Sequence, residues 1–420
     1  MKDYNIYADY LILNDKINTK YSSFINEFPL SFKTIEWYLR LYESIGSHEM
    51  KRCFYKRKNS FNNFSFYFIR QLFKFYSKTK NRALVNVPRL DHIELDTREF
   101  LTNRGIVCKE FGKGFNIIVS LIGNDLFKLG LYNNLKNFPC ESNIDKKFWI
   151  GFEKSLRKII KSYSILIKHL NFKIVITQDF HTDTGYIFSE ALKLLKIPSI
   201  EFAHCWTQDR HLVTLLPING NYSLIWDKNL LKKIITVCNE NESKKLINFG
   251  YPNLFKKNII IRKKHFLLLF PGLQARTNEQ RKVLYKKWIK LFDYIKSFKE
   301  SFKIVIRCHP GDMSSECNEV RNLYKNYISS NTLDYDLSNS FFVIGGATTV
   351  LVDSFKAKIP CIQIIDFDPE NLIVPIKRFK LENFFQLKLS TVNKLKFLSY
   401  DFYNMEFNFK KYFNFLQKQI

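Results

Sequence analysis

The chain has 420 residues, 46% of them hydrophobic, so it is long enough for two α/β domains with separate cores. Its 66 basic and 39 acidic residues give a net charge of +27, which predicts anionic partners such as phosphorylated ligands, a membrane surface or nucleic acid. The sequence contains neither an uncharged apolar run of about 18 residues nor a secretory signal, so we expect a cytoplasmic protein without a bilayer-spanning helix.

The first regional feature is the basic segment, residues 51–89, which combines many lysines and arginines with aromatic residues and has no acidic residue. Such a segment can lie on an anionic membrane surface, with its aromatic side chains at the level of the lipid headgroups. Alternatively, the aromatic residues pack against the protein and leave the lysines in solvent. The first interpretation predicts a peripheral protein at the inner face of the cytoplasmic membrane.

Strands and helices are predicted to alternate after the basic segment. Residues 83–87 are predicted to form a strand, 147–170 a long helix with one apolar face, and 173–177 a continuous apolar strand. A helix over about 184–196 and a strand over 197–202 complete a β-α-β unit, which implies a parallel sheet.

A second alternating set begins after a junction near residues 250–262. Its predicted elements are a strand over 265–270, a helix over about 278–298, strands over 303–308 and 341–344, a helix that includes 353–358, and a strand over 360–365. The predicted fold class is therefore α/β, with two doubly wound, Rossmann-like halves. In open parallel sheets, ligands bind outside the carboxyl ends of the strands.

Two loops of the second half carry residues suited to phosphate. One strand is followed by His309-Pro310-Gly311-Asp312 and another by Gly345-Gly346-Ala347-Thr348-Thr349. Small residues let a phosphate approach the backbone, and the threonine hydroxyls add donors beside a helix N-terminus. A histidine on a neighbouring strand end can bind the same phosphate or protonate a leaving group. A capped helix and a structural turn are the alternatives, but the two loops together favour a nucleotide-phosphate site.

These motifs resemble the GT-B glycosyltransferases, especially the bacterial branch with sialyltransferases and Kdo transferases and, more distantly, the CDP-glycerol phosphotransferases. The matching residues are His309-Pro310, Thr348-Thr349 in place of a serine pair, Asp353, and Lys358-Ile359-Pro360 in place of a Gly-x-Pro turn. In the first half, residues 195–204, 224–226 and 248–252 are similar to stretches of the same enzymes. The resemblance covers roughly residues 170–366.

The resemblance implies a GT-B fold, with two Rossmann-like domains that face a central cleft. Residues 1–250 would bind the acceptor, and residues 251–420, including the C-terminal helices, would bind the nucleotide sugar. By the same resemblance, His309 would bind the donor phosphate and help the nucleotide leave. The other donor-binding residues would be Gly272, Pro310, Gly345, Gly346, Thr348 and Thr349, with Asp353 at the ribose or base.

A transferase of this kind also needs a base for the acceptor hydroxyl. In the related branch an acidic residue of a short acidic-glycine motif has this role, and Asp179, His181 and Asp183 are the nearest candidates, at a predicted strand end. Asp183 could instead be the N-cap of the following helix. His204 could face the cleft or be a hydrogen-bonded core residue. Two arginines could pair with phosphate, Arg276 and Arg307, although a structural role is favoured for Arg307.

The predicted function is glycosyl transfer to a lipid-linked or oligosaccharide acceptor in the assembly of capsule or lipopolysaccharide. A CMP-linked acidic sugar is the favoured donor, ahead of a UDP- or GDP-linked hexose. The alternatives are a CDP-glycerol- or CDP-ribitol-type polyol-phosphate transferase and an isomerase similar to UDP-sugar 2-epimerases. A nucleic-acid-binding protein would explain the charge but not the two loops, and no nucleic-acid motif is present, so no nucleic acid partner is expected.

Neither a metal nor another cofactor is expected. The eight cysteines contain no Cys-x-x-Cys pair, which favours reduced thiols over a zinc site or disulfide framework. An Asp-x-Asp motif, Asp366-Phe367-Asp368, would suggest a metal-dependent GT-A transferase. It follows the last predicted strand of a two-sheet protein, and we therefore reject that interpretation.

Overall fold

The computed structural model describes residues 6–45, 80–87, 91–108, 114–135, 145–178, 180, 182–202, 216, 218–226, 228–250, 265–273, 278–297, 303–309, 312, 314–367, 376–386 and 407–420. They divide into two compact units. The first unit holds the described residues up to 250 together with Phe407–Ile420, and the second holds those from 265 to 386.

The strands are β1 (Arg82–Asn86), β2 (Phe172–Thr177), β3 (Ser199–Phe202), β4 (Tyr222–Leu224), β5 (Leu246–Ile247), β6 (His265–Leu269), β7 (Lys303–Arg307), β8 (Ser340–Gly345), β9 (Cys361–Ile364) and β10 (Lys377–Phe379). The helices are α1 (Ile6–Lys20), α2 (Ser22–Glu27), α3 (Pro29–Ile45), α4 (Asp91–Thr102), α5 (Gly114–Lys128), α6 (Leu131–Leu135), α7 (Lys146–Leu170), α8 (Asp183–Leu194), α9 (Lys228–Val237), α10 (Glu240–Ser243), α11 (Asn278–Lys296), α12 (Ser315–Leu323), α13 (Leu333–Asn339), α14 (Thr349–Lys356), α15 (Leu381–Phe384) and α16 (Phe409–Gln419).

The first sheet has the strand order β1-β2-β3-β4-β5, and its strand pairs are parallel. Val107 forms a parallel bridge with Arg82 on the side of β1 away from β2. Because Val107 follows β1 in sequence, the chain winds outward in both directions from the gap between β1 and β2. That gap is the topological switch point of the first sheet.

The second sheet has the strand order β10-β9-β8-β6-β7, again with parallel pairs. Ile328 bridges Ile306 on the outer side of β7, which adds one further position to the sheet. Counted in chain order, the spatial order is that of dinucleotide-binding Rossmann domains, 3-2-1-4-5-6, with the switch point between β6 and β8. The predicted α/β class with two Rossmann-like parallel sheets is confirmed.

Apolar burial explains both layers around the sheets. The strands are nearly continuous apolar runs because helices cover both faces of a parallel sheet. In the first unit, α1, α3, α5, α7 and α8 share one buried cluster with β2, and Trp149 and Tyr163 of α7 are almost completely buried in it. In the second unit, Trp288 and Phe292 of α11 pack on β6 and β7 in a separate cluster.

The C-terminal helix α16 belongs to the first unit, so its predicted place in the second domain is wrong. Tyr412 is fully buried; its hydroxyl lies 3.2 Å from Thr97 Oγ1, and its ring packs against Phe202 and Phe249. These aromatic contacts, which join residues far apart in sequence, hold the end of the chain against the first sheet.

Most of the basic segment lies outside the described residues; of residues 51–89 only 80–87 are described, and they include β1. In the described part of the chain, no helix is both long and apolar enough to cross a bilayer.

Candidate functional site

The carboxyl edge of the second sheet brings three strand-end loops side by side. The loop after β6 lies between those after β7 and β8, because β6 pairs with both strands. His309 was predicted on a strand next to the one that precedes Thr348. This prediction is wrong, since β6 separates the two strands by twice the inter-strand spacing, roughly 10 Å. Any site that uses both residues must therefore include the loop after β6.

His309 follows β7 and is exposed, whereas its backbone is held in place. Its carbonyl oxygen accepts hydrogen bonds from Asp312 N at 3.0 Å and from Arg321 Nη2 at 3.3 Å. The first bond closes a tight turn, and the second brings a guanidinium of α12 to the same point. The arrangement fixes the chain and leaves the imidazole in reach of solvent.

Cys308, the residue before His309, has a pKa that is shifted by its neighbours. A hydrogen bond from Cys317 lowers the pKa of Cys308, and the charge of Arg321 adds to this against the opposing effect of burial. The same thiol–thiol hydrogen bond, with burial, raises the pKa of Cys317. The lowered pKa of Cys308 therefore comes mainly from one neighbouring thiol, and the charge of Asp312 opposes it.

The glycines of this edge have different roles. Gly272 is exposed, and a Cβ added there would meet no atom within 4 Å. A Cβ on Gly345 would lie 2.9 Å from both Cβ and Cδ1 of Leu269. Gly345 was predicted to leave room for a nucleotide, but the space it leaves is filled by Leu269. Its missing side chain lets β8 pack against β6.

The loop after β8 leads through buried Gly346 and Ala347 into α14. Thr348 is the N-cap of α14, and both Thr348 and Thr349 are half-buried. Thr348 Oγ1 accepts from Val350 N at 3.4 Å, whereas the other side-chain caps of the described helices have distances of 2.8 to 3.3 Å. Among the described helices that have a side-chain cap, α14 therefore has the longest capping distance, and the N–H groups of its first turn suit an anion.

Two charged residues that the sequence offered as ligand contacts are buried or bonded to protein groups, and their contact with a ligand stays a prediction. Asp353, predicted at the ribose or base, lies on α14 and is only 2% exposed, so little of its surface could meet a nucleotide. Arg307 donates from Nη1 to Asp336 Oδ2 at 2.6 Å and to Asn331 O at 3.1 Å. These contacts give Arg307 the structural role that the sequence favoured.

In the first sheet, Asp183 is fully buried at the start of α8. Its Oδ2 accepts from Tyr38 at 3.0 Å and Tyr132 at 2.8 Å, and its Oδ1 accepts from Thr184 N at 2.7 Å. The N-cap of α8 is Thr182, so the interpretation of Asp183 as the cap is wrong. These contacts favour an anchoring role that joins α3 and α6 to α8. The general-base role stays a prediction.

The loop after β2 is held by two polar residues. Phe180 N donates to Glu201 Oε1 at 2.8 Å, and Phe180 O accepts from Asn219 Nδ2 at 2.9 Å. Phe180 itself is fully buried, and Glu201 is 5% exposed. The backbone and ring of Phe180 are therefore fixed together.

The remaining predicted site residues lie outside the described part of the chain: Asp179, His181, His204, Arg276 and Pro310. Sequence reasoning missed Asp312, Glu201 and Asn219, whose side chains hold strand-end loops. A usable signal existed for Glu201, which is a charged residue inside an otherwise apolar strand, and for Asp312, which is three residues after His309.

Comparison with family models and with curated proteins finds no match to this chain. Solved structures do match. A UDP-GlcNAc 2-epimerase from Neisseria meningitidis bound to UDP-GlcNAc has 12% identity and a TM-score of 0.47, over 80% of this chain and 100% of that one. An S. aureus MnaA–UDP co-structure has 12% identity and a TM-score of 0.39, over 68% and 79%.

A GtfA/B complex bound to UDP and GlcNAc has 12% identity and a TM-score of 0.29, over 56% of this chain and 52% of that one. At these values the likeness says nothing about the ligand or reaction of this chain. Its class rests on its own two parallel sheets and the loops at their edges.

Proposed function

We propose that this protein is an enzyme that acts on a nucleotide sugar and binds the donor phosphates at the carboxyl edge of the second sheet. The observation that carries the proposal is the strand order, with its reversal between β6 and β8. In sheets of this order, nucleotides bind in the crevice outside the strand ends where the order reverses. Gly272 and the start of α14 flank that crevice.

The small residues and backbone donors of this edge support a phosphate ligand. Gly346 and Ala347 let a phosphate approach the backbone, and the weakly capped first turn of α14 supplies N–H donors. The exposed His309 is two strand positions away. A diphosphate at α14 would direct its sugar end toward the loops after β6 and β7, where an imidazole can donate to the leaving phosphate.

The first candidate reaction is glycosyl transfer. An acceptor hydroxyl would lose its proton to a base and form a bond to the anomeric carbon. The bond from that carbon to the phosphate oxygen would break, and the nucleotide would leave with the electron pair. The acceptor we propose is a lipid-linked or oligosaccharide chain of a surface polysaccharide, with the basic segment on an anionic membrane. A CMP-linked donor is supported only by the short sequence motifs.

The second candidate reaction is epimerisation of a UDP-linked sugar. The loops after β7 and β8 would bind the nucleotide phosphates in this reaction as well as in transfer, so they favour neither reaction over the other. An epimerase consumes UDP-GlcNAc without an acceptor. A transferase turns over its donor at full rate only when an acceptor is added.

The test begins with thermal denaturation of the full chain in CMP, CDP, UDP and GDP, since a ligand that binds the folded state raises the Tm. We expect one of these four nucleotides to raise the Tm, by an amount that grows with the logarithm of its affinity. The paired substitutions Thr348→Val and Thr349→Val keep side-chain shape and should reduce that affinity, because each lost hydrogen bond to a charged group contributes about 1.5–3 kcal/mol. If no nucleotide raises the Tm, the proposal is wrong.

The reaction is then assigned with the sugar conjugate of the nucleotide that binds. Appearance of an epimer of the sugar, free or nucleotide-linked, without an acceptor identifies epimerisation. Nucleotide release that depends on an added oligosaccharide acceptor identifies transfer.

A further inference from the structure

Asp312 joins three points of the chain at the proposed phosphate site. Its carboxylate accepts from Leu273 N at 2.7 Å through Oδ2 and from Ser314 N at 2.9 Å through Oδ1. Its own N–H donates to the carbonyl oxygen of His309 at 3.0 Å. The loop after β6, the turn that carries His309 and the residue before α12 are therefore tied through one residue, by its carboxylate and its backbone N–H.

The turn at His309 does not itself require an aspartate. Any residue other than proline at position 312 could donate its backbone N–H to His309 O and close the turn. The carboxylate is fully buried, and a buried charge is costly unless hydrogen bonds satisfy it. Its contacts reach Leu273 on the neighbouring loop, so the tie between the two loops accounts for the side chain better than the turn does.

The contacts of Asp312 also distinguish the N-terminus of α12 from that of α14 as a position for an anion. Ser314 N is taken by Asp312, and Ser314 Oγ accepts from Cys317 N at 3.2 Å, so the N-terminus of α12 is occupied by protein groups. The weak cap at Thr348 leaves the N-terminus of α14 less satisfied. A phosphate at this edge is therefore expected at α14.

We propose that Asp312 is a positioning residue, which fixes the loop after β6 against His309 so that both meet a nucleotide bound at α14. The inference rests on the proposed function. Asp312 acts through its neighbours: its buried oxygens are used by backbone N–H groups, and the groups left for the ligand are the exposed His309 and Gly272.

The test compares Asp312→Asn with Asp336→Asn. Asp336 is an equally buried aspartate of the second unit, which accepts from Arg307, so its replacement is a matched loss of a buried carboxylate. Hydrogen exchange reports the tie directly through the amides of Leu273 and Ser314. Calorimetry with the nucleotide that gives the largest thermal shift reports the site, at a temperature where both variants are folded.

We expect D312N, which keeps one of the two acceptor oxygens, to lose exchange protection at Leu273 or Ser314 and to bind the nucleotide at least tenfold more weakly. D336N should lose stability with its nucleotide affinity kept. Equal losses of affinity in both variants, or unchanged protection in D312N, would overturn the positioning role. If D312N does not fold, Asp312→Glu, which keeps two acceptor oxygens but displaces them by one methylene, is measured in the same way.

The two proposals fail differently. If the wild-type protein binds none of the four nucleotides, the proposed function is wrong and the positioning role falls with it. If the wild type binds a nucleotide and D312N binds it equally well, only the positioning role is wrong.

Discussion

The two sheets end their strands in loops that differ in how much they expose. In the first sheet, the described residues after β2 are buried: Gln178 is 3% exposed, Thr182 7%, and Phe180 and Asp183 are inaccessible. In the second sheet, Gly272 and His309 are exposed and Thr348 is half-buried. Both edges use a buried carboxylate to hold a loop, Glu201 in the first and Asp312 in the second.

This difference distinguishes residues that anchor a loop from residues that could take part in a reaction. A buried carboxylate that accepts backbone hydrogen bonds can fix a loop, but its burial keeps its remaining lone pairs from a ligand. An exposed imidazole on a fixed turn can meet one. Among the described residues, reactive groups within reach of solvent therefore lie at the second edge, and the predictions below test that assignment from the largest expected effect to the smallest.

The largest effect is expected for His309→Ala. Because the side chain is exposed, the variant should fold with an unchanged Tm, while kcat falls about a hundredfold or more through lost acid catalysis or charge stabilisation. The measurement is nucleotide release from the sugar conjugate that the protein binds. His169→Ala on α7 is the control and should keep full turnover. Near-wild-type turnover in the His309 variant would show that His309 has no catalytic role, and the assignment of the reaction to the second edge would be wrong.

Asp183→Asn tests whether the first edge only anchors. Asn keeps one acceptor oxygen but loses the charge that two tyrosine hydroxyls share, so we expect a loss of about 2–3 kcal/mol in the free energy of unfolding. Turnover per folded molecule should be kept. Tyr132→Phe, which removes one of the donors, should show a smaller loss of stability. Full stability with lost turnover would instead make Asp183 the general base and erase the contrast between the edges.

The strands were predictable because a short apolar run between two polar loops favours a buried strand. The observed strand β2 has one residue more than the predicted strand over 173–177. The predicted strands over 303–308 and 341–344 agree with β7 and β8 to within one residue at either end. Spatial order was not predictable in the same way. Nothing in the local sequence places β6 between β7 and β8, because pairing depends on contacts between distant residues.

The local layout of the two loops was more predictable than their packing. The second loop enters a helix at Thr349, as the sequence predicted, whereas its role as a phosphate loop stays a prediction. The space beside Gly345 could not be assigned to Leu269 without the sheet register, because a glycine in a loop motif equally suits a ligand. The tie from Asp312 to Leu273 crosses 39 residues of sequence and leaves no local pattern.

Gly345→Ala tests the packing at the second edge. The new Cβ would meet Leu269 near its backbone, where the side chain cannot yield, so we expect a loss of about 1–3 kcal/mol in the free energy of unfolding. Gly272→Ala is the matched control, since its Cβ would enter open space, and its stability should stay within about 0.5 kcal/mol of wild type. Denaturant unfolding measures both. Equal stability of the two variants would show that Gly345 is not needed for packing against Leu269, and would favour the prediction that it leaves room for a nucleotide.

The smallest effect is expected at a kind of helix C-terminus that occurs once in each unit. Lys196 after α8 has φ 55°, and Lys358 after α14 has φ 59°, the left-handed region that glycine adopts without strain. The following residues close both ends in the same way: Ile197 N donates to Leu192 O at 3.0 Å and Ile359 N to Ser354 O at 2.9 Å. Each lysine stands before Ile-Pro, and each is exposed.

Lys196→Gly and Lys358→Gly should therefore each stabilise the protein, by about 1 kcal/mol at most, because relief of the strained backbone outweighs the added freedom of the unfolded chain. The two gains should be equal, since neither side chain packs in a core. Lys154→Gly, at an exposed position inside α7, is the control and should lose about 1 kcal/mol. A loss of nucleotide affinity in Lys358→Gly alone would show that this lysine, and so the far end of α14, takes part in binding at the second edge.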